Sequence, residues 1–285
     1  MEICTLITDN GSYRPESTLS LRALAKALGH RVEKEIHPVS LLHSTKIPPE
    51  KLGGVPAQIF EPFIKKRREE GINDFLVVPM FFGPSAAIKE YIPQRVTELK
   101  ANGWSELSVR VAPSVVEPLD EKDQRMASIL VEHIREEKAR HAMKSASVAI
   151  VDHGAPRIAV TKVRNFLAKQ VRQLLPEGEF PCVEPCSMER RDGDEYAFNE
   201  PLLENLLGSD GFCNDTIVSM LFASPGRHAG PGGDVAEICH EAAEKSPGIR
   251  TFMTDLVASH PGLIEILAER FEQGLASNPV EWTEP

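Results

Sequence analysis

The feature that most constrains the fold is an order of segments that occurs twice along the chain. Short apolar runs typical of β-strands alternate with longer runs whose apolar residues recur at helical spacing. This alternation predicts parallel sheets covered by helices on both faces. The predicted strands are 2–8, 31–37, 75–82 and 107–112 in the first half, and 147–152, 180–186, 215–223 and 249–253 in the second.

Predicted helices fill the intervals between these strands, and several end at glycine. They cover 14–29, 58–71, 86–103 and 118–141, then 157–175, 199–208, 233–246 and 260–275. The sequence therefore predicts an α/β protein of two tandem flavodoxin-like domains. A length of 285 residues accommodates two such domains, which we place at 1–143 and 144–285.

The two halves also correspond in sequence. "TDNGS" aligns with "VDHGA", and "FFGPSAA" corresponds to the region of "ASPGRHA" around Pro225. The spacing is nearly the same in both copies, with 77 positions from Asn10 to Ala87 and 75 from His153 to His228. This pattern indicates a duplicated domain in which only the second copy keeps the two histidines.

Composition narrows the classes of partner. The formal net charge of −10, without a basic arm, argues against binding to nucleic acid. No signal segment or membrane span is recognisable, because the apolar run near the start is too short. The five cysteines are an odd number scattered over the chain, which is typical of reduced thiols. We therefore expect a cytoplasmic protein that acts on neither membranes nor nucleic acid.

Three candidate functional residues fall near strand ends in the second half. Ligands of open parallel sheets bind at the carboxyl ends of the strands. His153 ends the first strand, Glu184 lies on the second, and His228 follows the third. Neighbouring strands are about 4.8 Å apart, so these side chains are predicted to converge. Two imidazoles and a carboxylate match an open three-ligand metal site.

Each of these residues has an ordinary structural interpretation when taken alone. A histidine after a strand is often a capping or packing residue, and Glu184 could be a solvated loop carboxylate. The conjunction favours function, because His153 and His228 occupy equivalent strand ends, both next to loop-forming glycines.

Other polar residues are candidate substrate contacts. The loop "SPGRHAGPGG" matches neither a Walker loop nor a dinucleotide-binding fingerprint. It places a fixed cation, Arg227, beside the second histidine. The remaining candidates are a basic rim on the helix after His153 and three residues of the first half: Arg157, Lys162, Arg164, Ser12, Tyr13 and Ser85.

These motifs resemble a known family. "VDHGAP", "MLFASPGRHAGPGGDV" and "MTDLVASHPGLIEILAERF" are similar to segments of the class II tetrapyrrole chelatases, in particular the sirohydrochlorin cobaltochelatases and ferrochelatases. The resemblance is strong over 147–275 and weaker over 1–140. It implies a bilobal fold with the tetrapyrrole held between the halves. It also implies that His153 and His228 handle metal and pyrrole protons, assisted by an acidic residue at the position of Glu184.

The chain departs from many long family members in its first half. Asn10 and Ala87 stand where those members carry histidines. Active residues in the second half are instead similar to the arrangement in protoporphyrin ferrochelatases and anaerobic cobaltochelatases.

The resemblance leads us to expect a lyase-type chelatase that inserts Co²⁺ or Fe²⁺ into sirohydrochlorin or a related tetrapyrrole, for cobalamin or siroheme biosynthesis. The metal is then a substrate, and no prosthetic group is expected. A non-catalytic tetrapyrrole- or metal-binding protein of the same fold is the alternative. A two-lobed binding protein of the periplasmic type is disfavoured by the lack of a recognisable signal segment. Homo-oligomerisation stays open.

Overall fold

A computed structural model describes residues 3–281 and divides the chain into two compact units. The first unit contains the residues up to Pro118 together with those from Ile264 onward, and the second contains Leu119–Leu263. The predicted boundary at 143 and 144 follows the sequence repeat, and the compact units divide the chain elsewhere.

The difference arises because the last helix of each half joins the other unit. Near the C-terminus, Gly274 packs against Leu76 and Ala112, and Arg270 Nε donates to the Ser114 carbonyl (3.1 Å). Sequence similarity therefore traces the duplication, whereas tertiary packing exchanges the terminal helices.

Each unit contains a four-stranded parallel sheet. The strands are β1 Cys4–Thr8, β2 Ile36–Pro38, β3 Asp74–Pro79, β4 Ser108–Val111, β5 Ser147–Asp152, β6 Val183–Ser187, β7 Asp215–Met220 and β8 Arg250–Met253. Their order is β2-β1-β3-β4 in the first unit and β6-β5-β7-β8 in the second. All the pairings are parallel, as the alternation of segments predicts.

One helix follows each of these strands in sequence. The helices are α1 Pro15–Val32, α2 Phe60–Glu69, α3 Ile92–Ala101, α4 Arg125–Arg140, α5 Ile158–Leu174, α6 Leu203–Leu206, α7 Asp234–Lys245 and α8 Gly262–Leu275. A π-helical turn, Ala87–Tyr91, leads into α3. Within residues 3–281, no helix is both long and apolar enough to cross a membrane.

One departure from the predicted elements is at the end of α1. This helix continues past Gly29 to Val32, where Glu33 adopts a left-handed conformation and its backbone N–H donates to the Gly29 carbonyl. The strand predicted at 31–37 is consequently reduced to the three residues of β2. A glycine can occupy the last turn of a helix without ending it when the following residues complete the cap.

The turn after the first strand of each unit has the same construction. Gly11 N–H donates to Asp9 Oδ1 (3.0 Å), and Gly154 N–H donates to Asp152 Oδ1 (3.1 Å). Both glycines have positive φ, at 85° and 90°. A Cβ at Gly154 would lie 1.9 Å from the Glu189 carbonyl oxygen, so no other residue fits this close approach. The duplication is thus visible in the backbone that supports the strand end.

The aspartate of the first unit gives a pH-dependent prediction. Burial raises the pKa of Asp9, although hydroxyl and backbone donors oppose the shift. Because the folded protein holds the Asp9 proton more tightly than the unfolded chain does, the protonated carboxyl stabilises the fold. That stabilisation is lost as the pH rises through the folded-state pKa. An asparagine in place of Asp9 would keep the acceptor for Gly11 without ionising. We expect Asp9→Asn to raise the melting temperature relative to wild type more at about pH 7.5 than at about pH 4.5. A difference that does not change with pH would contradict this assignment.

Candidate active site

His153 is the first residue after β5. Its backbone carbonyl accepts from Glu189 N–H (3.2 Å), which continues the β5–β6 pairing beyond the regular strands. The imidazole Nδ1 lies 3.0 Å from the Gly154 carbonyl oxygen, and Nε2 lies 3.3 Å from Glu189 Oε1. The His153 side chain is 45 % exposed. A ring with an acceptor at each nitrogen is suited to receiving and holding a proton, because the imidazolium donates from both positions.

His228 lies in the loop between β7 and α7, which folds back onto the start of the helix. Asp234 N–H donates to the Arg227 carbonyl (3.3 Å), and Val235 N–H donates to the His228 carbonyl (3.2 Å). The Asp234 carboxylate lies 2.6 Å from His228 Nδ1. With Nδ1–H donating to this carboxylate, Nε2 keeps its lone pair for a metal ion or a proton.

The two imidazoles contact each other. Their ring centroids are 4.5 Å apart and their planes are inclined at 72°, an edge-on arrangement. The predicted convergence of His153 and His228 is therefore present. Each ring also has its own carboxylate, Glu189 for the first and Asp234 for the second.

Glu184 does not join this pair. Its register partner on β5 is Ala149, four residues before His153, which at roughly 3.3 Å per residue is about 13 Å along the strand. The Glu184 carboxylate instead pairs with Arg172 Nη2 on α5 (2.7 Å). The prediction placed Glu184 near the end of its strand, whereas it is the second residue of β6. Glu189 occupies the place beside His153 that the sequence analysis assigned to Glu184.

The described side chains do not form a ready-made metal site. Among residues 3–281, no three His, Cys, Asp or Glu side chains are grouped so as to hold an ion. What the structure brings together is two histidine–carboxylate pairs whose rings touch.

The predicted basic residues separate into two environments. Arg227 is 80 % exposed and its Nε lies 3.7 Å from Asp234 Oδ2, so it stands at the surface beside His228. Arg157 is half-buried at the N-cap of α5. Arg164 was predicted on the same basic rim, but it is only 1 % exposed. Arg164 is therefore a buried structural residue below the site and is not available at its surface.

A buried network around Arg164 supports the turn that carries His153. Arg164 Nη1 lies 3.4 Å from Asp152 Oδ1 and donates to the Asn199 carbonyl (3.0 Å) and to Ser187 Oγ. Ser187 Oγ in turn donates to Asp152 Oδ1 (2.8 Å). Burial raises the pKa of Asp152, while the charge of Arg164 opposes the shift. The network holds the Asp152 side chain in place, and Asp152 immediately precedes His153.

The corresponding edge of the first unit carries different chemistry. Asn10 and Ala87 stand in the places of the histidines. Ser12 Oγ accepts from Arg14 N–H (3.0 Å) within the turn that begins α1. Ser85 Oγ is buried and has no hydrogen-bond partner in the described part of the chain. Ser12 is thus part of the turn that begins α1, whereas the Ser85 hydroxyl is enclosed.

Solved structures with the same fold include known chelatases. SirB from Bacillus subtilis, determined with Fe³⁺, has a TM-score of 0.69 at 12% identity, covering 99% of this chain and 100% of its own. SirB from Bacillus subtilis subspecies spizizenii, a sirohydrochlorin chelatase in complex with cobalt, has a TM-score of 0.67 at 12% identity, with the same coverage. CbiX, described as the terminal enzyme of siroheme biosynthesis in denitrifying bacteria, has a TM-score of 0.58 at 12% identity, covering 95% and 98%.

These likenesses confirm the predicted fold class, a tandem α/β arrangement of the chelatase type. No protein-family model matches the chain, and no curated protein matches it in sequence.

Proposed function

We propose that this protein is a chelatase that inserts a divalent metal ion, Co²⁺ or Fe²⁺, into sirohydrochlorin or a related tetrapyrrole. The observation that carries the proposal is the contact between His153 and His228, with ring centroids 4.5 Å apart and a carboxylate behind each ring. The metal is a substrate in this reaction, as is the tetrapyrrole.

The two histidine–carboxylate pairs supply the chemistry that metal insertion needs. A free tetrapyrrole must lose two pyrrole protons, and the ion must exchange its water ligands. A neutral imidazole serves either purpose near neutral pH. His153 accepts a proton that Glu189 then stabilises, and His228 presents Nε2 to the ion while Asp234 holds its orientation. Because the ion must leave the protein, an incomplete ligand set suits this task better than a closed site.

An exposed cation beside His228 suits a substrate rich in carboxylates. Arg227 lies next to His228 with most of its side chain in solvent. A guanidinium can bind a carboxylate through two parallel hydrogen bonds. We therefore propose Arg227, together with Arg157 at the start of α5, as contacts for substrate carboxylates.

The direct test is anaerobic absorption spectroscopy with sirohydrochlorin and Co²⁺, Fe²⁺ or Ni²⁺. We expect the protein to accelerate the spectral change of metal insertion with at least one ion. The alternative, a non-catalytic tetrapyrrole- or metal-binding protein, is favoured by the absence of a three-ligand group among the described residues. A binding protein of this kind would bind tetrapyrrole or metal in an amount proportional to the protein added, and it would not accelerate metal insertion.

Asp234 offers a sharper test of the proposed roles. Asp234→Asn keeps the side-chain size but removes the charge that orients and stabilises the His228 ring. Partners of this kind typically contribute about 10- to 100-fold, so we expect kcat to fall by that factor with KM nearly unchanged. The matched control is Glu237→Gln, which removes a charge from the same first turn of α7. Equal rates in Asp234→Asn and Glu237→Gln would remove Asp234 from the mechanism.

A further inference from the structure

The first unit carries an exposed aromatic side chain among basic groups, just beyond β1. Tyr13 is 58 % exposed. Its ring centroid is 5.1 Å from that of His43, and its hydroxyl lies 3.2 Å from His43 Nδ1. Lys46 Nζ lies over the Tyr13 ring, 5.3 Å from the centroid. We call Tyr13, His43 and Lys46 the aromatic–basic cluster.

The cluster lies at the edge of the sheet that corresponds to the active-site edge of the second unit. Leu42 N–H donates to the Asn10 carbonyl (3.3 Å), as Glu189 N–H donates to the His153 carbonyl. His43 is therefore one residue beyond the position equivalent to Glu189. Carboxyl ends of parallel strands are where ligands of this fold class bind.

The backbone at His43 is held in an unusual conformation. Its φ is 66° and its ψ is −40°, outside the region that non-glycine residues prefer. Residues held in sparsely populated conformations concentrate at ligand-binding positions, because the surrounding structure must offset their cost. The turn from 42 to 47 supplies that support through backbone bonds, including Lys46 N–H to the His43 carbonyl (3.0 Å).

The charges of the cluster favour an anionic ligand. Within residues 3–281, neither Lys46 nor the neighbouring Arg14 has an ion-pair partner, although the whole chain has a net charge of −10. Leu42, which is 36 % exposed, adds apolar surface beside them. An aromatic face with unpaired cations at its edge is complementary to a flat ring that carries carboxylates.

We infer that the aromatic–basic cluster binds a planar, polycarboxylated macrocycle, with Tyr13 stacking on the ring and Lys46 and His43 pairing with its carboxylates. The flexible stem of Lys46 allows it to leave the Tyr13 face and reach the ring periphery. The inference rests on the proposed function, since this ligand has the chemistry of the proposed substrate. It gives the first unit, which lacks the two histidines, a binding role of its own.

The test is equilibrium binding of metal-free uroporphyrin, a planar tetrapyrrole with carboxylates around its periphery, to the full chain without added metal. We expect Tyr13→Ala to weaken binding roughly tenfold, the typical scale of one aromatic stacking contact. Lys46→Gln is expected to weaken it about threefold, as for an exposed ion pair. Tyr13→Phe keeps the stacking face and is expected to bind nearly as tightly as wild type.

Salt and a matched lysine separate specific pairing from general charge. The effect of Lys46→Gln should disappear in about 0.5 M salt, whereas that of Tyr13→Ala should persist. Lys26, exposed on α1, provides the control: Lys26→Gln should bind like wild type. All the changes are at exposed positions, and thermal melts of the variants should match that of the wild type.

The outcomes distinguish this inference from the proposed function. If wild type binds uroporphyrin and both cluster variants bind it equally well, the cluster is not the binding site and the proposed function stands. Absence of porphyrin binding by wild type overturns the inference as well. The metal-insertion assay then decides whether the proposed function falls with it.

Discussion

Replacing either His153 or His228 with alanine should abolish most of the metal-insertion rate, by about 10²- to 10⁴-fold, the usual contribution of a positioned proton-transfer group. The double variant should lose little more than either single variant. The rings touch, with centroids 4.5 Å apart, and groups that act as a unit are strongly non-additive. Steady-state kinetics of the three variants measure this directly.

Two controls accompany these variants. His240→Ala removes an exposed histidine from the same unit, and Asn10→Ala changes the equivalent position of the first unit. Neither should alter the rate. Thermal melting should also be nearly unchanged in the active-site variants, because partly exposed side chains contribute little to the core. Near-normal rates with lowered melting temperatures would show that both histidines have a structural role and not a catalytic one.

The largest effect on stability is expected at Asp152. Asp152→Asn would leave the guanidinium of Arg164, only 1 % exposed, without its carboxylate partner. Removing one partner of a buried ion pair typically costs about 3–5 kcal/mol. The free energy of unfolding from denaturant titrations measures the cost. Asp9→Asn, the equivalent change in the first unit, should not lower the free energy of unfolding near neutral pH, because hydroxyl and backbone donors rather than a buried arginine surround Asp9 in the described part of the chain, so that no charge loses its partner.

A double variant sharpens this prediction. The first unit carries buried Leu21 at the position equivalent to Arg164, so the fold tolerates an apolar side chain there. Adding Arg164→Leu to Asp152→Asn should recover part of the lost stability, since no unpaired charge remains. If the two changes simply add, the pair is not coupled and the buried network does not support the His153 turn as described.

The sequence predicts well where local pattern decides the structure. β5 has the predicted bounds, because an unbroken apolar run ends at a polar residue and a glycine. The convergence of the two imidazoles was also predictable, since equivalent strand ends of a parallel sheet share one edge. The parallel pairing of the strands followed from their alternation with helices.

The sequence predicts poorly where register and long-range packing decide. Glu184 and Glu189 lie on the same segment, and only the pairing of β5 with β6 shows which one reaches His153. One signal was available: Glu189 lies just beyond the strand segment, at the carboxyl end where ligands of open parallel sheets bind, whereas Glu184 lies within it. Arg164 lies on the buried face of α5, at helical spacing from Leu167 and Ala168, but its polar partners come from distant segments that the local pattern does not reveal. The exchange of terminal helices likewise has no local signature.

The central claim is that the protein catalyses metal insertion into a tetrapyrrole. The most direct measurement is anaerobic turnover with sirohydrochlorin in large excess over protein, with Co²⁺ or Fe²⁺, followed by absorption against a protein-free reaction. We expect many product molecules per chain, formed faster than in the protein-free reaction, and loss of that rate in His153→Ala. A spectral change that stops at one equivalent per chain, or that proceeds at the protein-free rate, would contradict it.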